Sequence, residues 1–325
     1  MNAPGRHCPL HYRTDPAGLT GEAGVVAETV YVIGGLYGNT AALDAILRLA
    51  AAEAQSGLPA PTLVFNGDFN WFNVDDATFD RINTEVLQHV ALWGNVEAEL
   101  AAPDGDAGCG CAYPEWVDDA TVARSNAIMR RLQDTAAGHP AHLQTLAALP
   151  RQLVAEVGGI RIGLIHGDSE SLAGWGFAVE NMPEPGTTPP LIHDWFRRAA
   201  VDVFACSHTC LPFMQGFLVD GAPRLLMNNG SAGMPNFRGD RRSVVTRIGT
   251  APAPQAEHLY GVELRGVHCD ALAIPWATAG WDNWFNRTWP PRSPAAESYA
   301  TRLQDGPGHS LADAWRITDA AETNG

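Results

Sequence analysis

Thr62-Leu63-Val64-Phe65-Asn66-Gly67-Asp68 is a short apolar run of strand character that stops abruptly on a glycine and a carboxylate. Four further stretches repeat the order of apolar run, small residue, polar group: 30–39, 90–95, 160–168 and 203–208. Ligands of α/β proteins gather beyond the carboxyl ends of strands, so these endings predict one shared crevice. The polar groups delivered there are Asn39, Asp68, Asn95, His166, Asp168 and His208, and Asp68 reads as the centre of a metal site.

Composition bounds the classes open to the chain. Its 325 residues, 46% of them hydrophobic, suffice for one large α/β domain with insertions. No run of about 18 apolar residues occurs, which argues against a membrane span, and the first residues lack the apolar middle of a secretory signal, so a cytoplasmic protein is expected. A net charge of -15 would repel a polyanion over most of the surface, which disfavours polymeric nucleic acid as partner. A small phosphorylated substrate stays compatible, because a bound cation inverts the local sign. The 6 cysteines are irregularly spaced and do not read as a disulfide framework.

Three regions follow from the chain order. Residues 1–27, rich in glycine, proline and charge, form an N-terminal arm. Residues 28–274 form the α/β domain, with helices expected over 40–54, 77–92 (running into a strand), 121–137, 141–149 and 190–200. Residues 151–157 and 160–165 predict a hairpin around Gly158-Gly159. The strands expected from residue 213 to residue 274 look antiparallel and would make a second sheet. Insertions are expected at 101–120, carrying Cys109-Gly110-Cys111, and at 170–190, a Gly/Pro-rich cap. Cys109 and Cys111 either clamp a soft metal or sit idle in a loop; C-x-C without a second pair is not a specific zinc signature. Residues 275–325 form an aromatic extension that would latch onto its own domain or a partner protomer. Arg238, Arg241 and Arg242, behind the glycine-rich loop at 228–235, are candidate phosphate grips or surface ion pairs.

In order and spacing these residues resemble the calcineurin-like metallophosphoesterase superfamily. The corresponding text is Gly35-Leu36-Tyr37-Gly38-Asn39, Gly67-Asp68, Gly94-Asn95-Val96-Glu97, His166-Gly167, Ser207-His208-Thr209-Cys210-Leu211-Pro212 and Asn228-Asn229-Gly230-Ser231. The resemblance implies a two-sheet β-sandwich flanked by helices, in four layers. It also implies one metal held by Asp68, Asn95, His166 and His208, two oxygens and two nitrogens that suit Mn²⁺, Fe²⁺ or Zn²⁺. The ligands of the other metal fall on Gly35, Tyr37 and Cys210, and the leaving-group acid on Val96, so two-metal clamping at about 3.5–4 Å is in doubt.

Two repairs suggest themselves. Cys210, joined by Cys109 and Cys111, would supply thiolate to a softer second site; or Tyr37, with Asn39, Ser231 and Arg238, would bind phosphate directly. Glu97, Asp168 or metal-bound water would then handle protons. The expected activity is hydrolysis of a small phosphate ester or diester by a metal-bound hydroxide. Its rivals are an inactive binding or sensing module and a thiolate-assisted metal protein with different chemistry.

Overall fold

A computed structural model describes residues 4–254 and 256–318. The first three residues of the arm and the last seven of the aromatic extension lie outside them. The strands are β1 (Val25–Val26), β2 (Thr29–Ile33), β3 (Thr62–Asn66), β4 (Val90–Leu92), β5 (Gln152–Val157), β6 (Ile160–Ile165) and β7 (Val203–Cys206). They continue with β8 (Phe213–Val219), β9 (Ala222–Asn228), β10 (Ser243–Gly249), β11 (His258–Leu264), β12 (Val267–Ile274) and β13 (Trp315–Arg316). Among the described residues they build two mixed sheets, ordered β1-β5-β6-β7-β9-β8-β13 and β11-β12-β10-β2-β3-β4.

The expected sandwich is present, with one correction to the second sheet. The strands after residue 213 divide between the sheets instead of forming one together: β8 and β9 extend the β5–β7 sheet, while β10 adds antiparallel to β2 and β12 antiparallel to β10. The physical reason is full burial of β2, β7 and β10. Strands buried on both faces must be central and flanked on both sides, so the antiparallel strands are drawn out to cover them.

Parallel pairing of β2, β3 and β4 in one sheet, and of β6, β7 and β9 in the other, aims their carboxyl ends at the same edge of the sandwich. Apolar strand faces fill the space between the sheets, from Val30, Val32 and Val64 to Ile162, Leu164 and Phe204. A second core packs helices Thr40–Gln55, Asp76–Val86 and Asp119–Ala136 on the outer face. The hairpin at Gly158-Gly159 forms as expected, both glycines taking positive φ (55° and 80°), the handedness a tight turn demands.

The aromatic extension folds back on its own domain. Trp281 and Trp289 are buried in the outer core, and Trp289 Nε1 donates to Phe72 O at 3.0 Å. Beyond it β13 pairs parallel with β8, closing that edge of the sheet. Among the described residues no helix is long and apolar enough to cross a membrane.

Candidate metal centre

β3 ends on Asn66, and the chain then turns through Gly67 and Asp68, both at positive φ (79° and 56°). A side chain at Gly67 would strike the Gly94 backbone, and one at Gly94 would strike the Asp68 carboxylate. Glycine at both places lets the loops after β3 and β4 touch, and this contact sets Asp68 against the helix Asn95–Ala101. Val96 N donates to Asp68 Oδ1 at 3.1 Å, fixing one carboxylate oxygen.

The other oxygen, Oδ2, lies 3.2 Å from Nε2 of His166. His166 is oriented by its second nitrogen, since Nδ1 donates to Asn66 O at 2.7 Å. His208 is held by Nε2 donating to Cys111 O at 3.1 Å, and Asn95 by Nδ2 donating to Cys109 O at 3.0 Å. Each of the three thus uses one polar atom on a backbone carbonyl and turns the other inward. Of these, His208 Nδ1 and Asn95 Oδ1 are buried and have no hydrogen-bond partner, while His166 Nε2 faces Asp68, whose charge outweighs burial and raises the imidazole above its ordinary range. Ligand atoms of Asp68, His166 and His208 lie within 4.8 Å of one another.

Buried polar atoms are nearly always paired, so unpaired lone pairs facing a carboxylate describe a cation's place. Electrostatics agree. Burial opposes charge on Asp68, yet the two imidazoles and the Val96 amide hold its carboxyl below the usual range. Burial and then the neighbouring His166 lower His208 to about 4, which keeps it neutral and able to ligate. Backbone carbonyls that orient ligating side chains are the outer shell a metal site requires.

No family profile matches the sequence, and no curated protein matches it in sequence. Structural comparison does find relatives. A hypothetical protein from Pyrococcus horikoshii OT3 superposes with a TM-score of 0.57 at 14% identity, over 87% of this chain and 99% of that one. A metallophosphoesterase from Sphaerobacter thermophilus gives 0.52 at 16% identity, over 86% of this chain and 100% of that one. The chain has the metallophosphoesterase fold.

Where that fold would hold a second cation, on the resemblance set out above, the space is filled. Tyr37, at φ 53°, lays its ring over Gly35, where a Cβ would come within 2.6 Å of the ring carbon Cζ. The Tyr37 hydroxyl meets Cys210 Sγ at 2.6 Å. Burial pushes both the phenol and the thiol up, so both are neutral and neither replaces a lost carboxylate. The thiolate repair is therefore corrected. Cys210 belongs to a neutral pair, and Cys109 and Cys111 are joined as a disulfide because Gly110, at φ 70°, folds the chain back between them. Their loop does close over the crevice, through its carbonyls and not its sulfurs.

Other expected roles also move. Glu97 accepts amides from Asp68 (2.6 Å), Gly94 (3.2 Å) and Asn70 (3.2 Å), a clasp on the loop, while burial and the Asp68 charge push its carboxyl up to about 7. Asp168 accepts Glu170 N and Gly176 N at 3.0 and 2.9 Å and shapes the 168–176 loop. Neither carboxylate is free to move protons. Asn39 caps the helix Thr40–Gln55 through Ala42 N and donates to Gly233 O, both at 3.0 Å. Ser231 Oγ binds Met234 N at 3.0 Å inside its own loop. Arg238 donates to Gly308 O on the exposed surface. Asn39 and Ser231 spend their polar atoms on backbone, Arg238 stands on the surface away from the cavity, and of the expected substrate residues only Tyr37 reaches the cavity.

That cavity measures about 160 Å³ and joins Asp68, Asn95 and His208 to aromatic walls from Trp71, Tyr113, Trp175 and Tyr299. Sequence reasoning missed Arg302, which also lines it. Its guanidinium donates to Cys210 O (2.7 Å) and Pro235 O (3.3 Å), backbone carbonyls and not carboxylates. The signal was the i, i+3 spacing of Tyr299 and Arg302 on the helix Pro294–Asp305, which places both on one face. Asn66 was missed as well: its Nδ2 bonds Ile165 O at 2.7 Å and Ser207 Oγ at 3.0 Å, clasping the strand ends of both sheets.

Proposed function

We propose that the cavity binds and hydrolyses a small phosphate ester or diester, with one divalent transition ion held by Asp68, Asn95, His166 and His208. The observation that carries this reading is the convergence of Asp68, His166 and His208, whose ligand atoms lie within 4.8 Å of one another, beside the buried and unpaired His208 Nδ1 and Asn95 Oδ1. The ion would supply Lewis-acid activation of water and of a phosphoryl oxygen. Two oxygens and two imidazole nitrogens suit Mn²⁺, Fe²⁺ or Zn²⁺ better than the all-oxygen ions.

The chain's own residues do the rest. Asn66, Cys109 and Cys111 carbonyls fix which atom each ligand presents. Arg302 offers the positive charge that grips the phosphoryl group, standing beside the Tyr37–Cys210 pair that fills the second site. Aromatic walls exclude water and limit the organic group to a small one. Val96 lines the cavity where a general acid would stand, so the leaving group takes its proton from solvent, and esters of acidic alcohols or phenols are favoured substrates.

That same valine favours a second reading, in which the crevice binds a phosphorylated ligand without turnover. Metal analysis with a panel of aryl and alkyl phosphoesters separates the two. Turnover by metal-loaded protein, lost in Asp68→Ala, supports the hydrolase; binding of metal and phosphate with no turnover supports the sensor. Equal metal content in wild type and Asp68→Ala would sink both.

A further inference from the structure

A second cluster of metal-ligating side chains stands apart from the cavity. Asp76 and Asp80 lie one turn apart on the helix Asp76–Val86, and His139 and His142 sit at the start of the helix Pro140–Ala147. His139 Nε2 lies 3.0 Å from Asp76 Oδ1, and His142 Nε2 2.9 Å from Asp80 Oδ1. One ligand atom from each of Asp80, His139 and His142 lies within 4.8 Å of the other two. None of the four residues lines the catalytic cavity.

From this arrangement we propose a structural site for a divalent transition ion of the zinc type, bound by His139, His142 and Asp80, with Asp76 held beside it against His139. Each imidazole nitrogen faces a carboxylate oxygen across the span of one hydrogen-bonding proton. A single cation between Asp80, His139 and His142 collects two nitrogens and one oxygen and leaves a fourth position for water, a donor set zinc accepts. Two separate surface ion pairs would be worth little, since the Asp76 and Asp80 side chains are 83% and 63% exposed.

The imidazoles are preorganised for the shared role. Their rings stack with centroids 5.9 Å apart and planes 26° apart, and both rest on Phe79, at 4.9 and 6.2 Å. Their side chains are only 17% and 18% exposed, so little rotamer freedom remains to be lost on binding. The ion would brace two helices that are distant in sequence. One of them carries Asn83, whose Nδ2 holds Asn70 Oδ1 at 2.8 Å, and the Asn70 amide is clasped by Glu97 beneath the cavity. The site thus stiffens the segment that leads into the cavity wall at Trp71.

Equilibrium dialysis of untagged protein against Zn²⁺, with melting curves in the presence and absence of Zn²⁺, tests the assignment. His142→Ala is expected to bind one Zn²⁺ fewer than wild type and to show a smaller Zn²⁺-dependent rise in Tm. His142→Gln, which keeps a hydrogen-bonding group toward Asp80 and guards against misfolding, is expected to do the same. Adding His142→Ala to His166→Ala is expected to shrink the remaining Zn²⁺-dependent rise further, so the result stands whether or not the inner cavity binds metal. Equal Zn²⁺ counts in wild type and both His142 variants, or an unchanged Tm response, would overturn the proposal.

Discussion

Replacing Glu99 by glutamine perturbs one buried carboxyl just below the metal-ligand loop, and the size of the effect follows from its surroundings. Glu99 Oε1 accepts the Tyr12 hydroxyl at 2.6 Å and Oε2 accepts Asp104 N at 2.9 Å, while Tyr12 also reaches Asn95 O at 3.4 Å. Burial pushes the Glu99 carboxyl from 4.5 up to about 6, and the two hydrogen bonds only partly offset it. The folded state therefore holds this proton more tightly than the unfolded chain does. Its contribution to stability is full below about 4.5 and is lost as pH rises through about 6. At roughly 1.36 kcal/mol per pH unit of difference, the loss is about 2 kcal/mol. Glutamine keeps the shape and an acceptor for Asp104 N but has nothing to titrate. Urea unfolding of both proteins at fixed salt should show Glu99→Gln gaining about 2 kcal/mol relative to wild type between about pH 4 and about pH 7. All other titrating groups are shared and cancel in the difference. A difference that stays flat across this range, or that slopes the other way, would refute the reasoning.

Three further outcomes are expected. Val96→His keeps the amide that holds Asp68 Oδ1 and adds an imidazole at the cavity wall, so hydrolysis of alkyl phosphoesters should rise by ~10²–10⁴-fold while aryl esters change little; equal effects on both classes would contradict the missing-acid argument. Arg302→Met should raise KM for phosphoesters by roughly 10- to 100-fold with metal content intact, the loss of one charge-assisted bond, and an unchanged KM removes Arg302 from the substrate site. Arg247→Met leaves Glu53 buried without the guanidinium that now meets it at 2.6 Å, a loss of about 3–5 kcal/mol in urea unfolding, and adding Glu53→Met should restore most of it; a double variant no more stable than the single would argue against a desolvated pair.

The sandwich, and the meeting of Asp68, His166 and His208, were legible because each rests on local order. An apolar run ending in a small residue and a polar group reports a strand tip; β3, β4 and β6 run into glycine with polar groups beside it, and β7 into Ser207-His208. The sheet assignment of β8 to β12 was not legible, since pairing partners depend on which strands need cover on both faces. Side-chain roles failed wherever a polar residue near a strand tip could serve the backbone instead of a ligand. Asn39, Glu97, Asp168 and Ser231 all do so, and nothing in their spacing separates a cap or loop clasp from a substrate contact. Arg302 was hidden for the opposite reason: its helix is remote in sequence and reaches the cavity only because the aromatic extension packs on its own domain. The His139 and His142 cluster likewise arises from helix packing, with Asp76 and Asp80 supplied by another element.

The departures at Gly35, Tyr37 and Cys210 gain a common explanation in the packing. Tyr37 can lie over residue 35 only because that residue lacks a side chain, and its hydroxyl is satisfied by a thiol that burial keeps neutral. Restoring a carboxylate at position 35 alone would drive it into the phenol ring, so the second cation cannot be regained by one substitution. Removing that cation also removes two positive charges from the crevice, and Arg302 stands against the Cys210 carbonyl to return one of them. A centre with one metal and one guanidinium still neutralises a phosphoryl group, but the guanidinium cannot bind and polarise water as a second metal would. On the proposed function, chemistry at this site would lean on the inner ion and on the quality of the leaving group. Hence the contrast between aryl and alkyl esters is the sharpest measure of what the remodelled crevice can do.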